Sequence, residues 1–370
     1  MTNVLVYALP NRSSGGLSVI ENLYYDLKEN AEKFPDIHWF FIMGINALES
    51  TSNITVMNED GALKTWLHRY WFNKVKLKKF VKEKNIKVVI SINMGVAGVD
   101  APSIISFHNV LPFYPCNQEM FDDFYWMVKQ RIINREILNS VKRAIFVIVP
   151  SRWVKEILVD RFGVKEQRVC VSPIALPEIQ KLSEETEIPE TDMLRHEFIY
   201  PASGFPYKNH RVIVEAAKIL QSKGIENYRV RFSGMTGEGK TIKVIRSDIA
   251  ANHLPIEFCG SLSKKDLVAA YRKGILVFPS KIETDGFPLL ESMACGGYIL
   301  AADLPYAREA LEHYSNYELF DPDNAIALAK LMAIAMEHKR RNAPSDRAVN
   351  FERSKVLVPM IRNIIKGKSI

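Results

Sequence analysis

Short apolar runs alternate with longer stretches of helical period along the chain. Residues 4–9 read as a buried strand, after which Leu17, Ile20, Leu23, Tyr24 and Leu27 recur at the spacing of one helix face. Further strands are expected at 39–43, 87–92 and 103–107, with helices between them. Residues 117–143 carry an amphipathic helical pattern, followed by a strand at 144–149 and a helix opened by Pro150-Ser151-Arg152-Trp153, with Ser151 as its N-cap. The alternation then stops. Residues 177–197 hold Pro177, Pro189 and many acids with no sustained apolar period, which is linker composition. It resumes with a strand at 197–201, a helix carrying Val212, Ile213, Ala216, Ala217 and Leu220, and strands at 229–233, 256–259 and 274–278. A helix is expected over 325–341 and a last amphipathic one over 351–366. Strands alternating with helices on both sides of a linker predict two α/β domains built on parallel sheets, with the boundary at 176/177. No solenoid repeat or low-complexity tract interrupts this pattern.

Composition fits two domains. A chain of 370 residues is long for one core, and an apolar share of 47% supplies two. The first ten residues lack a basic leader and read as strand, and no run approaches the roughly 20 apolar residues that cross a bilayer, so a cytoplasmic protein is expected. Cys116, Cys170, Cys259 and Cys295 are scattered, with no metal-ligand spacing, and predict neither disulfide nor structural zinc. The net charge of +7 is unevenly placed: residues 64–87 hold nine Lys and Arg against the single acid Glu83. Trp66, Tyr70, Trp71 and Phe72 are interleaved with them. This stretch reads either as a solvated helix whose aromatics face the core, or as a surface for anionic lipid headgroups that holds the protein peripherally at the inner face of the cell membrane. Nucleic acid is not expected as a partner, since no recognition motif accompanies the charge.

Candidate chemistry concentrates in residues 279–297. A buried strand runs to Phe278, a polar turn carries Glu283, Pro288 suits the first turn of a helix that carries Glu291, and Gly296-Gly297 suits its end. Amides at a helix start bind anions, and a carboxylate one turn in accepts bonds from vicinal hydroxyls, so the stretch suggests phosphate plus ribose. Taken alone, the two acids read as a dipole-complementing residue on an ordinary helix and a solvated loop residue. Gly15-Gly16, between the first strand and its helix, permits close approach to a phosphate but lacks the three-glycine dinucleotide spacing. His108 follows the strand at 103–107, where a doubly wound sheet presents its ligand edge, and an imidazole there donates or accepts near neutral pH.

Glu283 and Glu291, with Gly-Phe-Pro-Leu between them and Met-Ala-Cys-Gly after, resemble the donor-site signature of family 4 retaining glycosyltransferases (glycosyl transferases group 1). The resemblance implies the GT-B fold, two Rossmann-like domains facing each other across a cleft. Residues 1–176 would bind the acceptor, residues 177–350 the nucleotide-sugar donor, and the helix within 351–370 would cross back onto the first domain. It places Glu291 on the ribose, Glu283 beside the donor sugar, and Gly286, Phe287, Leu289 and Leu290 against sugar and phosphate. Gly15 and Gly16 would face the diphosphate, and His108 the reacting sugar or acceptor. Gly234, Gly260, Ser261 and Leu262 would line the nucleotide. Lys208 matches the Lys of the family's basic pair, whereas the Arg position is Ala202, so either Arg211 substitutes from the helix or fewer cations balance the diphosphate. The family usually writes Glu-Gly-Phe-Gly-Leu-Pro where this chain has Glu283-Thr284-Asp285-Gly286-Phe287-Pro288, so Asp285 adds an acid near the sugar pocket.

The reaction so implied moves a hexose from a nucleoside-diphosphate sugar to an acceptor hydroxyl with retention, by same-face attack. UDP-sugar is the favoured donor and GDP-mannose the second. No metal or other cofactor is expected, and the acceptor is a glycan or lipid-linked saccharide of bacterial surface polysaccharide. Two alternatives share the architecture: a nucleotide-sugar-binding protein without turnover, which the missing Arg would suit, and a sugar-nucleotide epimerase.

Overall fold

The computed structural model describes residues 1–9, 14–92, 96, 99–117, 120–174, 176–186, 196–235, 239–337 and 353–367. Thirteen strands among them form two all-parallel sheets. The first contains β1 (Thr2–Tyr7), β2 (Ile37–Met43), β3 (Ile54–Asn58), β4 (Ile86–Ile92), β5 (Ser103–Ser106), β6 (Phe146–Val149) and β7 (Val169–Val171), in the order β3-β2-β1-β4-β5-β6-β7. The second contains β8 (Glu197–Pro201), β9 (Arg229–Ser233), β10 (Ile256–Gly260), β11 (Ile275–Phe278), β12 (Tyr298–Ala302) and β13 (Tyr317–Phe320), in the order β10-β9-β8-β11-β12-β13. Each order grows outward from a central pair, β1 with β4 and β8 with β11, the doubly wound arrangement of a Rossmann-like domain. Burial explains why these strands read as unbroken apolar runs: Val4 to Tyr7 and Ile275 to Val277 are 0% exposed, covered on both faces.

In the first domain the crossovers are α1 (Ser14–Glu29), α2 (Trp66–Trp71), α3 (Leu77–Glu83), α4 (Phe124–Arg143) and α5 (Arg152–Asp160). In the second they are α6 (Pro177–Glu185), α7 (His210–Ser222), α8 (Lys240–Ala251), α9 (Lys264–Lys273), α10 (Phe287–Ala294), α11 (Pro305–Leu311) and α12 (Ala325–Glu337). A last helix, α13 (Ser354–Ile365), packs on α1 and β4. The chain accordingly divides into one unit of Met1–Tyr114, Arg131–Ala175 and Phe351–Ile370, and another of Pro115–Gln130 and Leu176–Asn350.

Several expectations are corrected. Residues 177–186 are no linker: α6 opens with Pro177 and buries Ile179 and Ser183, and residues 187–195 lie outside the described ones. Helix α4 starts at Phe124, after Asp123, whose carboxylate accepts the amide of Tyr125 at 2.7 Å. Ser151 holds the N-cap position of α5, yet its buried hydroxyl makes no cap bond. Gly15 and Gly16 fall inside the first turn of α1, not in a loop before it. The basic stretch is helical from α2 through a π turn (Phe72–Lys76) into α3, and its aromatics divide. Phe72, Leu77 and Val81 are buried, whereas Tyr70 and Trp71 are each 52% exposed. The π turn widens the helix locally and moves the face that follows out of step with the face before it. No helix among the described residues is long and apolar enough to cross a membrane.

Candidate active site

Strands β8 and β11 are neighbours in the second sheet although 75 residues separate the side chains that their following loops carry. The loop after β8 closes with a 3-10 turn at Pro206–Lys208, then Asn209 in left-handed backbone (φ 58°) at the N-cap of α7. Asn is one of the few residues that takes this conformation at low cost. Its side-chain amide donates to the carbonyls of Pro279 (3.3 Å) and Pro322 (2.8 Å), tying the loops after β8, β11 and β13 together. The amide of Lys281 donates to Tyr207 O at 2.9 Å, and the Tyr200 hydroxyl donates to Lys208 O at 2.6 Å. These backbone ties fix the two loops against each other.

Lys208 and Glu283 meet at that junction. Nζ donates to Oε1 at 2.5 Å, and the two side chains retain only 17% and 15% exposure. Burial pushes the ammonium's pKa down, but the Glu283 carboxylate and the Tyr207 phenol outweigh it, and the net shift is upward. Lys208 therefore stays cationic. It also stands over the Tyr207 ring, 5.4 Å from the centroid, and that ring stacks on Phe205 with Phe121 edge-on to both.

The turn after Glu283 depends on Gly286, whose φ of +66° starts α10. The dihedral favours glycine, and a Cβ there would also press on Phe278 at 3.0 Å and Leu289 at 3.1 Å. Pro288 lies in the first turn, Leu289 is fully buried, and Gly296 with φ +71° ends the helix in left-handed backbone. Glu291 is the fifth residue of α10. Its Oε2 accepts the buried Tyr271 hydroxyl of α9 at 2.9 Å, and burial raises its pKa against the lowering effects of Tyr271 and Lys264. Tyr271 is pushed well above the ordinary phenol range, by burial first and then by Glu291, and remains a donor. That bond orients the carboxylate.

On the adjacent edge, Gly234 (φ +79°) and Gly260 (φ +67°) both take left-handed backbone. Gly260 O accepts Gly234 N at 2.8 Å and Ser233 Oγ at 3.0 Å, joining the loops after β9 and β10, while Ser261 and Leu262 sit near the surface beyond them. Thus Lys208, Glu283, Gly286, Glu291, Gly234 and Gly260 all lie at the C-terminal edge of one sheet, where open α/β sheets bind ligands.

Other expected residues fall elsewhere. The Arg211 side chain is 83% exposed on the first turn of α7, with Nε 3.8 Å from Glu215. His210 takes the inward position, and one residue further turns the helix outward. Ala202 is buried, with its amide donating to Ser233 O. His108, in the first domain, has Nε2 2.8 Å from Ser106 Oγ and 3.2 Å from Arg353, the N-cap residue of α13. Burial and then Arg353 hold its pKa well below the usual imidazole value, so it does not exchange protons near neutral pH as its strand-end position suggested. Asp321-Pro322-Asp323 follows β13, with Asp323 paired to Lys281. No cluster of three metal-ligating side chains occurs among the described residues. Sequence reasoning missed Asn209 and Tyr271, for which the faint signals were an Asn directly before a helix and a Tyr on the face of α9 that packs inward.

Two Rossmann-like parallel-sheet domains, the second with a cation, a carboxylate and a helix start at its switch point, define a GT-B glycosyltransferase architecture. Residues 54–175 match the description Glycosyltransferase Family 4, and residues 180–351 match Glycosyl transferases group 1. The chain belongs to this family of glycosyltransferases. It is 22% identical over 300 residues to the O-antigen chain mannosyltransferase RfbU of Salmonella typhimurium, covering 80% of this chain and 76% of that one. Its fold resembles a glycosyltransferase from Rickettsia africae (TM-score 0.61, 16% identity, 100% and 94% coverage). It also resembles HepE of Anabaena, solved with UDP (TM-score 0.63, 14% identity, 100% and 97% coverage).

Proposed function

We propose that this chain is a retaining hexosyltransferase that takes its sugar from a nucleoside-diphosphate sugar, UDP-sugar first and GDP-mannose second. The acceptor is a hydroxyl of a glycan or lipid-linked saccharide in bacterial surface polysaccharide assembly. The observation that carries the reading is the Lys208–Glu283 pair, set beside α10 and Glu291 on one sheet edge.

As the bond between anomeric carbon and phosphate breaks, negative charge grows on the diphosphate. Lys208 and the positive end of the α10 dipole meet that charge, so the reaction needs no metal. Lys208 leaves Glu283 for the diphosphate, and Glu283 then accepts sugar hydroxyls, with Asp285 close by in the same turn. Glu291, oriented by Tyr271, accepts the two ribose hydroxyls. Gly260, Ser261 and Leu262 present backbone to the base. The acceptor attacks from the face the leaving group vacates, and the departing phosphate takes its proton, which retains the anomeric configuration. The UDP bound to the similarly folded HepE favours uracil, while the O-antigen mannosyltransferase relative favours mannose and a surface polysaccharide.

The test is calorimetric titration with UDP and GDP in the presence of a chelator, on the wild type and on Glu291→Ala and Lys208→Ala. Metal-free binding of one diphosphate, weakened in both variants, supports the site. Binding that ignores both substitutions, or requires a metal, overturns it. Turnover of the matching donor with an acceptor then separates the enzyme from a binding protein without activity.

A further inference from the structure

The N-terminal edge of the first sheet, opposite the edge that follows β5 and carries His108, contains an open hollow of about 1030 Å³. Lys78, Lys79 and Lys82 of α3 and Lys87 of β4 rim it, and Ile364 and Ile365 of α13 line its floor. Lys79 lies 3.6 Å from Glu83, and Asp100 is an acid on the rim. Lys78, Lys82 and Lys87 have no ion pair among the described residues, and all three are exposed. Four lysines against Glu83 and Asp100 leave the hollow with a surplus of positive charge, which favours an anion.

The apolar floor narrows the choice of anion. Ile365 is 44% exposed although it sits beside lysines, and Tyr70, Trp71 and Val75 lie 52%, 52% and 47% exposed on the same helical run that carries Lys78 and Lys82. Lys74 stands 5.9 Å over the Tyr70 ring and Lys76 5.6 Å over that of Trp71. A free phosphate uses only the cations. A phospholipid uses both halves of the surface, its phosphate on the lysines and its glycerol and upper chains on the isoleucines, while half-exposed Tyr and Trp suit the interfacial zone. We propose that this lysine-rimmed hollow is a binding site for the headgroup of an anionic membrane phospholipid. It goes beyond the transfer reaction and uses none of the donor-site residues.

The test sediments the whole protein with phosphatidylglycerol-containing vesicles and with phosphatidylcholine vesicles, at low and high salt. Binding to the anionic vesicles alone, weakened by salt, is expected. The triple variant Lys78→Ala, Lys82→Ala, Lys87→Ala is expected to lose binding about a hundredfold, near fivefold for each lysine at the membrane surface. Lys223→Ala, Lys265→Ala, Lys330→Ala removes the same charge from exposed positions of the second domain and should bind like the wild type. Quenching of tryptophan fluorescence by brominated lipid should fall in Trp71→Phe. Equal binding to neutral vesicles, equal losses in the two triple variants, or saturable binding of inorganic phosphate with the same lysine dependence would overturn the proposal. UDP titration of both triple variants separates the two readings. Absent UDP binding in the wild type would sink the donor site and leave the vesicle result standing.

Discussion

Lys208 and Glu283 are paired, so on the proposed reading a diphosphate competes with the carboxylate for the ammonium. Glu283→Gln is therefore expected to bind UDP as tightly as the wild type or tighter, while turnover falls by at least about a hundredfold, the scale of a lost transition-state contact. Parallel calorimetry and kinetics check the split. Asn209 acts through its neighbours. In Asn209→Ala the bridges to Pro279 and Pro322 are lost and left-handed backbone becomes costly, so stability should drop by about 1–3 kcal/mol. kcat should fall more than donor KM rises. Asn209→Gly restores the backbone but not the bridges, and should recover stability ahead of kcat. Burial raises the pKa of Glu291, and on the proposed reading its carboxylate must be ionised to accept two ribose hydroxyls. Nucleotide affinity should then decline on acidification before an ordinary carboxylate would begin to protonate, and Glu291→Gln should remove that limb from a pH series of UDP titrations.

At the scale of elements, α7 contains a built-in liability. His210 is 1% exposed between Tyr200 and Phe232, and neither ring nitrogen has a hydrogen-bond partner among the described residues. Burial, then Lys208, pushes its pKa down to about 3 from 6.5. The unfolded chain takes up this proton below 6.5 and the folded one only near 3, so stability falls as pH drops through that window. The slope is at most about 1.4 kcal/mol per pH unit. His210→Phe, of similar size and without orphan nitrogens, should raise Tm at neutral pH and flatten the acid limb of Tm against pH. The same helix shows what was legible. Val212, Ile213, Ala216, Ala217 and Leu220 all face inward as their period predicts, because burial dictates both pattern and fold. Helix α6 was not legible. Nine residues with only Ile179 and Leu182 as large apolar side chains give too short a record of period, and packing on α9 and α10 is what holds them helical. Gly286 was legible as a turn, but its left-handed φ and the close approach of Phe278 and Leu289 are set by the tertiary structure.

For the whole molecule, the alternation of strands and helices announced two parallel sheets. The strand order could not be read from the alternation, since neighbours such as β8 and β11 are chosen by crossover geometry rather than by local pattern. Lys208 and Glu283 were each visible as candidates, and that order is what brings them into contact. The first domain also depends on a distant segment. Asp26 of α1 accepts the Ser354 amide at 2.6 Å and its hydroxyl at 2.8 Å, capping α13, and Arg362 reaches Asp36 at 2.8 Å. Asp26→Ala should cost about 1–2 kcal/mol, the worth of a good helix cap. It should lower the thermal transition of the first domain in calorimetry while leaving UDP binding unchanged.

The return of α13 also sets an order of events on the ribosome. Leu357, Val358 and Ile361 are buried in the first domain, yet they are translated only after every residue of the second. The amino-terminal sheet must wait with the surface of α1 and β4 uncovered while the later domain is synthesised and closes on its own. During that interval a chaperone that shields apolar surface has its substrate, and stalled chains that stop short of α13 should be held by it far longer than finished ones.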